Sequence, residues 1–183
     1  MNKEKDTIQI TFPAHITNVT KREVLRKIAT IYDPLALASP VTLEGKMLYR
    51  EVCETRIPWD QKLPQELLCH AVMSISCQTR ETNLPGNIEV PRSIGQHQEG
   101  TTSISIHAFG DASSQGVSTA AYAVMHQPSG VSQRLVTAKL RLAKKGLTIP
   151  RLELVAGHMA ANRVSNVRDA LKGFPLEDVL LLA

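Results

Sequence analysis

The chain has 183 residues, 43% hydrophobic and 21% charged, which is typical of a globular protein and excludes global disorder. No stretch approaches the ~20 apolar residues of a transmembrane helix. The charged N-terminus lacks the apolar core of a secretion signal, so we expect an intracellular protein, cytoplasmic or nuclear. Three cysteines without a CxxC pair argue against a disulfide framework and a structural zinc site.

The excess positive charge of the chain lies in its second half. Residues 1–100 carry twelve basic and twelve acidic side chains, whereas residues 101–183 carry nine basic and five acidic ones. A basic field attracts phosphates, although solvated loops and strand edges also carry such charge, and composition alone leaves both interpretations open. The interval between Asp111 and Glu153 has no acidic residue and holds Arg134, Lys139, Arg141, Lys144, Lys145 and Arg151.

The first predicted elements are a strand and a helix. Within an N-terminal segment, residues 1–19, positions 7–12 alternate between polar and apolar residues and predict a strand that needs a partner. Thr20 and Glu23 have the spacing of a capping box, which predicts the start of a helix. Pro34 predicts its end, because proline disfavours the α conformation in the preceding residue.

Two further helices are predicted downstream. Ser39 is a favourable N-cap and Pro40 suits the first helical position, so a second helix should begin there and run to about residue 54. A third should begin at about Pro64, with an apolar face that includes Leu67. Trp59, in the connection between them, is interpreted as a packing anchor.

A change of composition predicts a domain boundary. Residues 79–100 are polar and contain Pro-Gly and further prolines, which is typical of a linker or long loop. The linker separates a helical region, residues 20–78, from a second region, residues 101–183.

The second region has a β-rich pattern that continues into a helix. Its order, β-β-β-α-β, predicts an α+β fold in which a helix covers a mixed sheet, with the last strand parallel and buried. The predicted segments are strands at about 103–108, 117–125 and 131–140, a helix from Pro150 to about Lys172, and a strand at 178–183.

Two carboxylates stand out in this region. Asp111 follows the first strand and could face a cleft at the edge of the sheet, but an Asp after Gly is also a common turn residue. Glu153 is expected in the first turn of the helix, where the helix dipole favours an acidic residue in any case. Neither residue identifies a site by itself.

The sequences around both carboxylates resemble the opening of a ribonuclease H domain, in which the first strand carries an Asp and the first helix a Glu. Residues 107–113 (HAFGDAS) and 147–154 (LTIPRLEL) resemble in particular the ribonuclease H of BEL/Pao-type LTR retrotransposons. The patterns of that family are roughly "hGFSDAS" and "lTIPRLEL". Gly110 stands where the family usually has Ser.

The first half of the chain resembles the same family. Residues 20–25 (TKREVL), 31–41 (IYDPLALASPV) and 59–64 (WDQKLP) are similar to the thumb- or connection-like segment between polymerase and ribonuclease H in these Pol polyproteins. Glycine is common where Ala36 stands. The resemblance covers about residues 7–183 and indicates a fragment of a retrotransposon Pol polyprotein.

The resemblance implies a function and a set of site residues. Ribonuclease H domains hydrolyse the RNA of RNA/DNA hybrids with two divalent cations, Mg²⁺ or Mn²⁺. Asp111 would bridge the two metals and Glu153 would help to bind one of them. The expected partners are a hybrid or other nucleic acid and the remainder of the polyprotein, with no membrane. The residues expected near the nucleic-acid backbone are Ser113, Lys139, Arg141, Lys144, Lys145 and Arg151.

One departure from the family limits this expectation. A third catalytic Asp belongs at the end of the fourth strand, and the sequence stops at Ala183 before supplying it. We therefore expect an incomplete ribonuclease H-like domain with one exposed sheet edge and impaired hydrolysis, which leaves open whether the chain is an enzyme. The alternatives are a non-catalytic module that binds nucleic acid or protein, and a small α/β domain in which both acids are ordinary turn and helix residues.

Overall fold

The structure is a computed structural model, and it describes most of the chain. Most of the third helix predicted from Pro64 lies outside the described residues. Cys69 and Cys77 also lie outside them. The described residues are 6–11, 20–65, 67, 87–91 and 100–182.

The chain divides into two compact units. The first comprises Met1–Asp33 and Ala38–Arg92, and the second comprises Pro34–Leu37 and Ser93–Ala183. Each unit is described by itself below.

The first helix of the chain, α1, spans Lys21–Thr30. The hydroxyl of Thr20 accepts a hydrogen bond from the backbone N–H of Glu23 at 3.2 Å, which is one half of the predicted capping box. The carboxylate of Glu23 instead accepts hydrogen bonds from Arg26 at 2.8 and 2.9 Å. The predicted N-cap is therefore confirmed, and the helix ends a few residues earlier than Pro34 required.

The second helix, α2, spans Ser39–Glu54 and begins one residue earlier than predicted. Its N-cap is Ala38 and not Ser39, and no side chain caps it. The backbone N–H of Ala38 donates to the carboxylate of Asp33 at 2.7 Å. An acid five residues upstream therefore binds the backbone of the N-cap residue, a contact that local sequence preference does not show. The core of the first unit consists of Val24, Leu48, Val52 and Leu63.

A two-stranded antiparallel sheet joins distant parts of the first unit. Strand β1 is Thr7–Thr11 and strand β2 is Asn87–Pro91. The predicted strand near the N-terminus therefore has the partner that it needs. Residues 87–91 were predicted to be loop, which is wrong for this stretch, because the flanking prolines obscure the short alternation of Ile88 and Val90.

The second unit contains a four-stranded mixed sheet and one long helix. The strands are β3 (Ser103–Ala112), β4 (Gly116–Gln127), β5 (Gly130–Leu142) and β6 (Leu176–Leu182), and helix α3 (Ile149–Ala170) precedes β6. The strand order is β5-β4-β3-β6. Strand β4 pairs antiparallel with both β3 and β5, whereas β6 pairs parallel with β3, so the predicted β-β-β-α-β fold is confirmed.

Helix α3 covers one face of this sheet. Alternate residues of β3 and β4 point to the helix and exclude water together with its inner face. The largest buried cluster of the unit contains Ile104, Ile106, Ala108, Ala121, Ala123, Met125, Ala160, Val164 and Val167.

Among the described residues, no helix combines the length and the apolar character needed to cross a membrane.

Strand β6 is parallel as predicted, but it is not buried. It forms one edge of the described sheet, and its last four residues, Val179–Leu182, are 41–52% exposed. The helix packs mainly over β3 and β4, so the apolar second half of β6 lies beyond its cover. The prediction of a buried strand is therefore wrong for the described part of the chain.

Candidate metal and nucleic-acid site

The site is organised by a close contact between β3 and α3 at Gly110. A Cβ atom on this glycine would lie 2.9 Å from the carbonyl oxygen of Ala156 and 3.3 Å from the backbone nitrogen of Gly157. No ordinary side chain fits these distances unless the backbone moves. Glycine thus allows helix and strand to meet backbone to backbone.

This contact brings the segments that carry the two predicted metal ligands together. Ala112, next to Asp111, and Leu152, next to Glu153, pack in the same apolar cluster. The sequence predicts Glu153 in the first turn of the helix. In the structure Glu153 is the fifth residue of α3 and therefore begins the second turn. Both carboxylates therefore belong to the same end of the unit.

The two carboxylates differ in exposure. Asp111 is exposed, and the alternation of the strand directs it away from the face that carries Gly110 and α3. One of its oxygens accepts the backbone N–H of Ala112 at 2.9 Å. Glu153 is half-buried on the flank of the helix. Neither forms an ion pair with another described residue, so both are available to a cation.

Ser113 stabilises the turn between β3 and β4. Its hydroxyl oxygen accepts the backbone N–H groups of Gln115 at 3.2 Å and Gly116 at 3.1 Å. Its own N–H donates to the carbonyl of Gly116 at 2.8 Å. The hydroxyl therefore has a structural role, and its contact with nucleic acid stays a prediction.

Two of the predicted phosphate-binding residues lie on β5. Lys139 is paired with Thr119 and Arg141 with Val117, whose side chains are buried under α3. Paired residues share a sheet face, so both cations lie on the helix side, opposite to Asp111. The structure does not place these two residues on the same face as Asp111.

The other predicted phosphate-binding residues surround the start of α3. Lys144 and Lys145 are exposed in the connection between β5 and α3, and Arg151 is exposed as the third residue of the helix. They therefore lie at the end of the unit that also carries Asp111 and Glu153.

An aromatic pair near Asp111 was not singled out from the sequence. The rings of Phe109 and Tyr122 meet edge to face, with centroids 6.1 Å apart, on the sheet face opposite to α3. Phe109 is two residues from Asp111, so it shares that face. The sequence could have indicated this pair, because Phe109 is a large aromatic residue at a strand position that alternation assigns to solvent.

Comparison with known families identifies the chain. Residues 20–182 match the family described as Pao retrotransposon-like RNaseH-like domain. The chain belongs to this family. The match includes both the helical first half and the sheet-bearing second half, so the predicted BEL/Pao-type relationship to a retroelement Pol is confirmed.

The Pao-type chain is also similar to a solved structure, that of the foamy viral protease-reverse transcriptase dRH in complex with double-stranded DNA. The two share 16% sequence identity with a TM-score of 0.37. The match covers 85% of this chain and 27% of that protein, so the chain spans about a quarter of its length. No curated protein matches the chain significantly.

The described residues of this Pao-type domain fit a divalent cation only in part. Asp111 and Glu153 supply carboxylate oxygens, which are the ligands that Mg²⁺ and Mn²⁺ prefer. Among the described residues, however, no group of three or more His, Cys, Asp or Glu side chains is placed to hold a metal ion. The chemistry of the donors suits the metal, but their number falls short of a two-metal centre.

Proposed function

We propose that the chain is the ribonuclease H-like part of a retroelement Pol that binds RNA/DNA hybrids, with Asp111 and Glu153 as ligands of one Mg²⁺ or Mn²⁺ ion. The observation that carries the proposal is the contact of Gly110 with Ala156. It joins the two carboxylate-bearing segments at one end of the unit, with Asp111 on the open face of the sheet and Glu153 on the flank of α3. Neither carboxylate has an ion-pair partner among the described residues.

The basic residues at this end support a phosphate-bearing partner. Lys144, Lys145 and Arg151 are exposed near the two carboxylates, and cations of this kind position a nucleic-acid backbone without reading its sequence. A metal ion held by Asp111 and Glu153 would add positive charge at the same place. We therefore expect binding to depend on divalent cations and to weaken with salt.

We further propose that this chain by itself binds a hybrid without cleaving it. In two-metal hydrolysis the cations activate a water molecule and stabilise the leaving oxygen. Two such ions bring four positive charges, whereas Asp111 and Glu153 together offer two negative ones. With these two ligands, the chain can hold and orient a substrate, and hydrolysis requires carboxylates beyond the described set.

The second candidate function is a binding module with a protein partner. The specific observation in its favour is the edge strand β6, whose apolar side chains Val179–Leu182 are exposed in the described structure. Such an edge accepts a further strand, and the remainder of the polyprotein is the expected source.

The test is a combined binding and cleavage assay on a fluorescent RNA/DNA hybrid, with Mg²⁺ or Mn²⁺ and with EDTA. We expect cation-dependent binding that Asp111→Asn weakens, and no cleavage. Asp169→Asn is the matched control, since this acid lies on α3 in an ion pair with Lys172. Cleavage that Asp111→Asn abolishes would contradict the binding-only proposal. No binding of the hybrid with either cation would contradict the function itself and favour the protein-binding module.

A further inference from the structure

Trp59 is the single tryptophan of the chain, and it is 46% exposed. The sequence suggested a packing anchor, and the structure corrects this, because nearly half of the side chain faces solvent. An isolated exposed apolar residue is ordinary. The surroundings of this ring are not ordinary, since they combine a fixed geometry with a concentration of positive charge.

The position of Trp59 is fixed by the start of α1. Its carbonyl oxygen accepts the backbone N–H of Arg22 at 3.2 Å. The ammonium of Lys21 lies 5.5 Å from the ring centroid and the guanidinium carbon of Arg22 lies 6.0 Å from it, both within the range of cation–π attraction. Ring and cations are thus arranged before a ligand arrives, which lowers the entropic cost of binding.

The two cations have different roles. Lys21 is only 8% exposed, so its ammonium lies against the ring and helps to hold it. Arg22 is exposed, and its guanidinium donates two hydrogen bonds to Asp60, at 2.6 and 3.0 Å. This ion pair aligns the guanidinium beside the ring while leaving its remaining N–H groups available to an anion.

The surrounding segments carry an excess of positive charge. Residues 20–30 and 55–63 contain six basic and two acidic side chains. The two acids, Glu23 and Asp60, are each paired with an arginine. The six basic residues of these segments are Lys21, Arg22, Arg26, Lys27, Arg56 and Lys62. A ligand that suits an exposed ring beside such cations is flat on one part and negatively charged on another.

We propose that Trp59 is a stacking platform for a base of single-stranded nucleic acid, with Arg22 facing the adjoining phosphate. A single strand is favoured over a duplex, because the bases of a duplex are already stacked on one another and offer no free face. The site belongs to the first unit and does not use Asp111 or Glu153. It is therefore a second nucleic-acid site, independent of the hybrid-binding function proposed above.

The single tryptophan makes the test direct. The whole chain is titrated with an oligothymidylate of about ten nucleotides, and its tryptophan fluorescence is followed. We expect quenching by the oligothymidylate and none by an abasic strand of the same length, which keeps the phosphates and lacks the bases. With a labelled oligothymidylate, Trp59→Leu should weaken binding roughly 5- to 100-fold, and Trp59→Phe should retain most of it.

A matched control is Tyr32→Leu, which removes another exposed aromatic ring of the first unit and should leave the affinity unchanged. Equal quenching by the abasic strand, or unchanged affinity in Trp59→Leu, would overturn the proposal. If Trp59→Leu loses its far-ultraviolet circular dichroism, the abasic comparison on the unaltered chain decides. Asp111→Asn should leave the Trp59 signal intact, so failure of this proposal is distinguishable from failure of the hybrid-binding proposal.

Discussion

A Cβ atom on Gly110 would lie 2.9 Å from the carbonyl oxygen of Ala156, so strand β3 and helix α3 meet backbone to backbone next to Asp111. The family usually has Ser at this position, whereas this chain has no room for its Cβ. The distance between helix and strand at this point is therefore set by a residue without a side chain.

The first prediction concerns this contact. Gly110→Ala should destabilise the chain by about 1–3 kcal/mol, because the added methyl group forces the helix away from the strand. Urea unfolding monitored by circular dichroism measures the change. Gly100→Ala is the control, since its Cβ would have no atom within 4 Å, and its effect should stay within about 0.5 kcal/mol. Equal stability of the two variants would show that the close contact does not exist.

The second prediction concerns Ala36, which has a φ of +54° in the left-handed region. An ordinary residue is strained there and glycine is not. Ala36→Gly should stabilise the chain by about 0.5–1 kcal/mol in the same unfolding experiment. Ala29→Gly, at an exposed position of α1, should destabilise it by a similar amount. A loss of stability in Ala36→Gly would contradict the left-handed backbone.

The third prediction concerns Thr119, whose side chain is buried between β4 and α3. Its hydroxyl oxygen has no hydrogen-bond partner among the described residues, and such a group costs free energy. Thr119→Val keeps the shape and removes the hydroxyl, so it should stabilise the chain by about 1 kcal/mol. Thr55→Val is the contrast, because the hydroxyl of Thr55 donates to Val52 at 2.7 Å and its removal should destabilise. A destabilised Thr119→Val would reveal a partner for the hydroxyl.

The fourth prediction concerns pH. The hydrogen bond from Arg22 lowers the pKa of Asp60 below its ordinary value of 3.8, and the hydrogen bond from Arg26 lowers the pKa of Glu23 below 4.5. A lowered pKa means that the stabilisation is fully present above the ordinary value and is lost as the pH falls towards the lowered one. Asp60→Asn should therefore reduce the loss of stability seen below about pH 4 in unfolding curves measured at successive pH values. Since these groups are exposed, the difference should be small and should shrink in salt, and an unchanged pH profile would contradict the ion pair.

Much of the second unit could be predicted from the sequence, because its signals are local. The alternation that begins at Ser103 and the helix signal around Pro150 each describe one element, and the topology follows from their order. The carboxylates Asp111 and Glu153 were found through the short motifs around them. The structure places Asp111 within β3, where the sequence predicted the position after the strand, and Glu153 one turn later in α3 than predicted.

What the sequence could not show depends on contacts between distant residues. The strand partner of β1 lies about eighty positions away, the start of α2 depends on Asp33, and the exposure of β6 depends on how far α3 reaches across the sheet. The role of Gly110 required the position of Ala156. A Gly in place of the family's Ser was the available signal, and only the packing gives it a physical meaning.

The most direct measurement of the proposed site is Mn²⁺ binding by calorimetry to the unaltered chain and to Asp111→Asn, Glu153→Gln and the double variant. If the two carboxylates share one ion, each single variant should lose most of the binding, and the double variant should lose little more. Asp169→Asn should bind as the unaltered chain does. Undiminished Mn²⁺ binding in both single variants would contradict the assignment of Asp111 and Glu153 as a metal site.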